Sequence, residues 1–99
     1  MILPEPEVQS VLETGKIIVN SGLVCGTWGN ISVRLSSSDS FLITPSGVPY
    51  HELTAEDLVI IDLQGEVLAG RLKPSSETPL HAAIYRARQD INGIVHTHS

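Results

Sequence analysis

Between residues 31 and 69 the chain is cut into short apolar runs separated by turn formers, a punctuation that suits hairpins rather than long helices. Ile31 to Leu35 and Phe41 to Thr44 form the first expected hairpin, divided by the polar stretch Ser36 to Ser40. Leu58 to Leu63 and Glu66 to Ala69 form the second, divided by Gln64-Gly65. Pro45-Ser46-Gly47 breaks the first hairpin's outgoing strand, and Thr54 followed by Ala55-Glu56-Asp57 has the N-cap and acidic first turn of one helical turn. Helical periodicity is confined to the flanks. Pro4 and Pro6 with Glu5 and Glu7 suit a first turn, after which Val8, Val11, Leu12, Ile18 and Val19 share one face up to Asn20-Ser21-Gly22. Beyond the polar, proline-flanked segment 73–79, Leu80, Ala83, Ile84 and Ala87 mark the expected apolar side of a second amphipathic helix reaching about Arg88. Cys25 to Asn30, with two glycines, reads as a loop, and the stretch from Gly93 onward alternates as a last strand.

These elements make one small domain. A chain of 99 residues hides only about 60–65% of the surface it exposes when unfolded, so the core is limited. Hydrophobic residues at 41%, charged ones at 17% and a mean hydropathy of +0.14 place it among globular rather than disordered chains. Six basic residues, scattered among eleven acidic ones for a net charge of −5, do not make the footprint that nucleic acid or an anionic membrane requires. A single cysteine, Cys25, allows no internal disulfide and points to a reducing cytoplasm; with no basic neighbour to activate it, it reads as a buried, inert thiol. The opening residues lack a basic leader pattern, and no apolar run approaches the ~20 residues of a membrane span. The expectation is a soluble, cytoplasmic protein with no nucleic-acid or membrane partner.

His96 and His98 stand two apart on the last strand, a period that points both imidazoles to one face. Such a pair is either the start of a metal site or two solvent-facing polar residues. Glu77 opens the second helix, where it is either a carboxylate available to the same metal or an ordinary acidic first-turn residue. Three clusters of small polar residues accompany them: 26–30, 44–47 and Ser75-Ser76. Glycine turns, hydroxyls and a helix N-terminus can hold a phosphate without a net positive protein, and the same residues are common turn formers. Trp28 and Tyr85 read as packing residues, His51 as a loop residue, and His81, one turn after Glu77, as a supporting or packing residue rather than a ligand.

Taken in order, Gly29-Asn30-Ile31-Ser32, Thr44-Pro45-Ser46-Gly47, Ser75-Ser76-Glu77-Thr78-Pro79 with His81, and His96-Thr97-His98-Ser99 resemble the class II aldolase/adducin family over the span from Val8 to the last residue. Within it the chain is most similar to aldolases of the fuculose-1-phosphate kind. The resemblance implies an α/β fold, three layers α/β/α around a mostly antiparallel sheet, with residues 1–99 the N-terminal part of a single domain whose relatives are about twice as long. It implies a homotetramer with sites at subunit boundaries. One Zn2+ per subunit, or another divalent metal, would be held by Glu77, His96 and His98. The substrate phosphate would be bound by Thr27, Gly29, Asn30, Thr44, Ser46, Gly47, Ser75 and Ser76. Glu77 is also the expected catalytic residue, in a reversible cleavage of a ketose 1-phosphate to dihydroxyacetone phosphate and an aldehyde. The same family contains pentulose-phosphate 4-epimerases, in which the position of Glu77 is commonly aspartate, thio-sugar-phosphate dehydratases and non-catalytic adducin-like assembly domains. A third histidine ligand and an aldehyde-end tyrosine belong to the half not in this sequence, so the expectation for the isolated chain is little or no activity and a tendency to self-associate.

Overall fold

The computed structural model describes residues 4–22, 29–35 and 39–97. The first helix, α1, spans Glu5–Asn20, as the proline and acid pattern of its start suggests, and it turns Val8, Val11, Gly15 and Ile18 inward. It stops at Ser21, and Gly22 takes the left-handed backbone (φ +74°) in which a helix end favours glycine. The strands are β1 (Asn30–Arg34), β2 (Ser40–Ile43), β3 (Val59–Asp62), β4 (Val67–Ala69) and β5 (Gly93–His96), with helix α2 (Thr78–Ala87) between the last two. Two single 3-10 turns, Tyr50–Glu52 and Ala55–Asp57, join β2 to β3, and the second carries the reciprocal capping box of Thr54 and Asp57.

The sheet order is β4-β3-β2-β1-β5 and all four pairings are antiparallel. Both hairpins form at the expected places. After α2 the chain crosses over and lays β5 beside β1, so β1 becomes an interior strand. Strand alternation divides the core into two layers. Leu42 and Ile60 join Val8, Val11, Ile18 and Ile31 on the α1 side, while Phe41, Ile43, Val59 and Ile61 pack with Ala82 and Tyr85 on the α2 side. The α/β/α layering thus places one helix on each face of an antiparallel sheet. No helix among the described residues is long and apolar enough to cross a membrane.

One expectation is overturned. The side of α2 that carries Leu80, Ala83, Ile84 and Ala87 is not the side it buries: Leu80 is 49% exposed, and Thr78, His81, Ala82 and Tyr85 face the sheet. Counting apolar residues alone misplaces the helix because β1 offers polar partners to that face, and a polar side chain with its hydrogen bonds made can be buried at little cost.

Tyr50 lies beneath Gly15 of α1, whose hydrogen-only side chain lets the ring come close: a Cβ there would stand 3.4 Å from the tyrosine Cβ. The Tyr50 hydroxyl is buried with no hydrogen-bond partner among the described residues, and burial pushes its pKa up to about 12. An unsatisfied buried hydroxyl opposes folding. Tyr50→Phe is therefore expected to leave stability unchanged or raise it by up to about 1 kcal/mol, read from the urea midpoint. A loss of similar size would reveal a bonded hydroxyl.

Candidate functional site

β1 reads Asn30-Ile31-Ser32-Val33-Arg34, with polar and apolar residues alternating. Ile31 and Val33 pack on the α1 side, which leaves Asn30, Ser32 and Arg34 toward α2. Because β1 is interior, that polar face is buried: Asn30 is 4% exposed and Ser32 2%. Such groups need partners, and they come from His81 and Tyr85 of α2 and from Glu77, the residue just before it, spaced four apart and so stacked along one side of the helix.

The contacts form a continuous chain. Asn30 Nδ2 donates to Glu77 Oε2 at 2.6 Å, and His81 Nε2 donates to Asn30 Oδ1. Ser32 Oγ lies 2.6 Å from His81 Nδ1 and 2.7 Å from Tyr85 Oη. His96, paired with Asn30 in the β1–β5 register, donates from Nδ1 to the same Glu77 oxygen. Two adjacent strands therefore converge on one carboxylate. The Glu77 and His96 side chains are 33% and 35% exposed, so this end of the chain opens to solvent while His81 at its middle is fully buried.

Ser75 sets the position of Glu77. Its Oγ accepts the Glu77 N–H at 3.2 Å, and its carbonyl accepts from the Thr78 backbone (3.1 Å) and hydroxyl (2.7 Å), wrapping the helix start in a serine turn. That turn is tied to the end of β2: the Ser75 N–H donates to the Thr44 carbonyl at 3.1 Å, the Ser46 N–H to the Lys73 carbonyl at 2.9 Å, and Pro45 pairs with Pro74. Thr44 in turn accepts the Ile31 N–H at its hydroxyl (3.2 Å) and donates its own N–H to the Ile31 carbonyl. The segments 44–46 and 73–75, far apart in sequence, are laced together beside Glu77. Thr44 and Ser75 are buried in this lacing, whereas Ser46, Gly47 and Ser76 are exposed. Gly29, in the left-handed region at φ +89°, turns the chain into β1 immediately before Asn30.

Burial pushes the His81 pKa down to about 4; the Glu77 charge works against this shift and His96 adds to it. His81 is thus neutral at neutral pH. Burial raises the Tyr85 phenol to about 12, opposed by its hydrogen bond to Ser32 and by Arg34, so it keeps its proton. The Arg34 guanidinium lies 4.8 Å from the centre of the Tyr85 ring and donates to the carbonyls of Ile91 (2.9 Å), Tyr85 (2.9 Å) and Arg88 (3.0 Å), clamping the end of α2 against the sheet.

Of the expected metal ligands, Glu77 and His96 are brought into contact, and His98 lies outside the described residues, as do Thr27, Trp28 and Cys25. Among the described residues no three His, Cys, Asp or Glu side chains converge. His51 is exposed beside Glu52 on a turn whose neighbour Tyr50 packs in the α1 layer. Tyr85 is a core residue, its ring centre 4.9 Å from that of Phe41. Ser32 was not among the expected site residues, although it joins His81 to Tyr85. Its signal was present as a polar face on an otherwise apolar strand, opposite polar residues at helical spacing.

Residues 9–99 match the family described as "Class II Aldolase and Adducin N-terminal domain". A protein of Bacillus thuringiensis serovar kurstaki named 5-deoxy-D-ribulose 1-phosphate aldolase is 46% identical over 98 residues, 99% of this chain and 46% of that protein. A Mycoplasma pneumoniae protein named "Probable L-ribulose-5-phosphate 4-epimerase" is 46% identical over 92 residues, 92% of this chain and 38% of its own length. Among solved structures, an L-fuculose 1-phosphate aldolase superposes with a TM-score of 0.92 at 36% identity, covering 99% of this chain and 46% of that one. The chain thus spans less than half the length of these relatives.

Proposed function

Because the chain belongs to the class II aldolase and adducin N-terminal domain family, we propose that it carries the phosphate cradle and the carboxylate–histidine centre of an aldolase that cleaves a ketose 1-phosphate to dihydroxyacetone phosphate and an aldehyde. The observation that carries this reading is the placement of Glu77. Its carboxylate is held by Asn30 and His96 at the point where the loops 44–47 and 73–76 are joined.

A carboxylate oxygen and an imidazole nitrogen, in contact and reachable from solvent, are donors of the kinds zinc prefers, so Glu77 and His96 fit a divalent metal, with His98 the further donor of this chain. Zinc bound there supplies Lewis-acid polarisation of the substrate's carbonyl and hydroxyl oxygens. The chain's own residues do the rest. Ser46, Gly47 and Ser76, exposed beside the start of α2, bind the phosphate through hydroxyls and backbone N–H groups, with Thr27, Gly29, Asn30, Thr44 and Ser75 shaping the cradle. In cleavage the bonding pair between C3 and C4 passes to C3, the C4 hydroxyl gives up its proton to solvent, and C3 gains one that the Glu77 carboxylate has first taken up from solvent. Glu77 carries the proton that C3 gains, and removes it in the synthetic direction. Assembly into a homotetramer in the cytoplasm belongs to the same reading.

The name of the Mycoplasma relative favours a second reading, a pentulose-phosphate 4-epimerase, which breaks the corresponding bond and re-forms it on the opposite face. Glutamate at position 77 supports the aldolase. An adducin-like assembly role leaves the solvent-open carboxylate–imidazole pair without a purpose.

Zinc should bind the chain at neutral pH, and His96→Ala should weaken that binding about tenfold or more because a direct donor is lost. Calorimetric titration measures this. Unchanged affinity in His96→Ala would remove the metal from the reading.

A further inference from the structure

We propose that Ser32, His81 and Tyr85 act with Asn30 as a buried, one-way hydrogen-bond relay that positions the Glu77 carboxylate, with His81 fixed as its Nε2–H tautomer. The proposal deepens the assignment of Glu77 to proton transfer and rests on that reading for its consequence, though not for its geometry.

The direction follows from what each group can donate. An ionised carboxylate only accepts, so the Asn30 amide must turn its NH₂ to Glu77, as the 2.6 Å contact has it. The Asn30 Oδ1 is then left facing His81 Nε2 and needs a donor. The His81 ring is fully buried and its two nitrogens meet, among the described residues, only the Ser32 hydroxyl and the Asn30 side-chain carbonyl, with no carboxylate to hold a second proton, so the ring carries one proton, which must sit on Nε2. That leaves Nδ1 as an acceptor, met by the Ser32 hydroxyl at 2.6 Å. With its proton committed there, Ser32 Oγ receives the Tyr85 phenol at 2.7 Å. Every proton in the chain is thereby directed from Tyr85 toward Glu77, and the bond dipoles add rather than cancel.

The relay is also braced at its far end. Arg34, on the same face of β1 as Ser32, lies over the Tyr85 ring and holds the Tyr85 carbonyl, so it braces both the ring face and the backbone from which the phenol extends. Glu77 sits at the first residue before α2 and Tyr85 near its end, so the relay runs the length of the helix. It ties that side to two positions of a single strand. Ser32, His81 and Tyr85 are positioning residues: they touch one another and Asn30, and through Asn30 they limit the angle at which the Glu77 carboxylate can present itself.

Long-range ¹H–¹⁵N correlation of the ¹⁵N-labelled chain at neutral pH reads the tautomer directly and needs no substrate, metal or variant. The expected result is a single neutral His81 ring protonated at Nε2, with the Asn30 side-chain NH₂ resolved and protected from exchange. A ring protonated at Nδ1, an even mixture of tautomers or a doubly protonated ring would overturn the relay. Two variants separate positioning from packing. His81→Gln retains a donor at the place of Nε2 and should keep most of the Asn30 protection, whereas His81→Leu fills the space without a donor and should lose it by about tenfold or more. Equal protection in both would reduce His81 to a packing residue. Because none of these readouts involves catalysis, a failed relay and a failed assignment of Glu77 to proton transfer give different results.

Discussion

Taking the protein from pH 7 to pH 4 is expected to remove about 3 kcal/mol of stability through His81 alone. In the unfolded chain this imidazole takes up its proton near the ordinary value of 6.5, while in the fold burial holds the uptake down to about 4. Between those two values the unfolded state binds more protons than the native state, so stability falls as the pH falls. Above about 6.5 both states are neutral at this site and it adds no pH dependence. Carboxylates titrate toward the lower end of the same window, so the measurement is a difference: urea unfolding at pH 7, 5.5 and 4.5 for the native sequence and for His81→Gln. The native chain should lose more over that range than the variant. Parallel curves would mean that the folded state accommodates a charged His81.

The second large effect concerns Glu77. In a chain extended to the length of its relatives, Glu77→Gln should lower the rate of dihydroxyacetone phosphate release by about 10²- to 10⁴-fold, the range typical of removing a positioned proton-transfer group. Glutamine keeps the size of the side chain and offers its carbonyl oxygen to the Asn30 NH₂, so the packing around α2 should survive and the circular dichroism spectrum should be unchanged. Loss of rate with an intact fold separates chemistry from structure. Retained activity would move proton transfer to another residue and leave Glu77 a ligand or a hydrogen-bond anchor.

How far the site could be read in advance differs residue by residue. Glu77 and His96 stood out through the ordered motifs around them, since each alone reads equally well as an ordinary first-turn or solvent-facing residue, and their contact with one another needed the fold. Asn30 was legible as a polar residue after a glycine turn, but its engagement by both Glu77 and His81 was not, since that depends on β5 and α2 meeting at the same end of β1. Ser32 and Tyr85 were read as a strand residue and a packing residue. Their joint role requires knowing which side of α2 faces the sheet, and apolar periodicity pointed to the wrong side. The rule that apolar residues face inward fails where the opposite wall is itself polar.

Local sequence decided the elements and their order: the helix Glu5–Asn20 set between Pro4 and Gly22, the two hairpins, and the short turns between β2 and β3. Each depends on neighbours within a few residues, through proline and glycine backbone preferences and the two-residue or 3.6-residue period of apolar side chains. The tertiary structure decided the pairing of β5 with β1, the rotation of α2 about its axis and the lacing of residues 44–46 to 73–75. None of these follows from local preference. Ser32 and Tyr85 are 53 positions apart, and a hydrogen bond across that separation forms only once the whole sheet has closed around it. Burial of a polar face is favourable only when the partner face arrives with matching donors and acceptors, a condition that belongs to the assembled fold and not to any one segment.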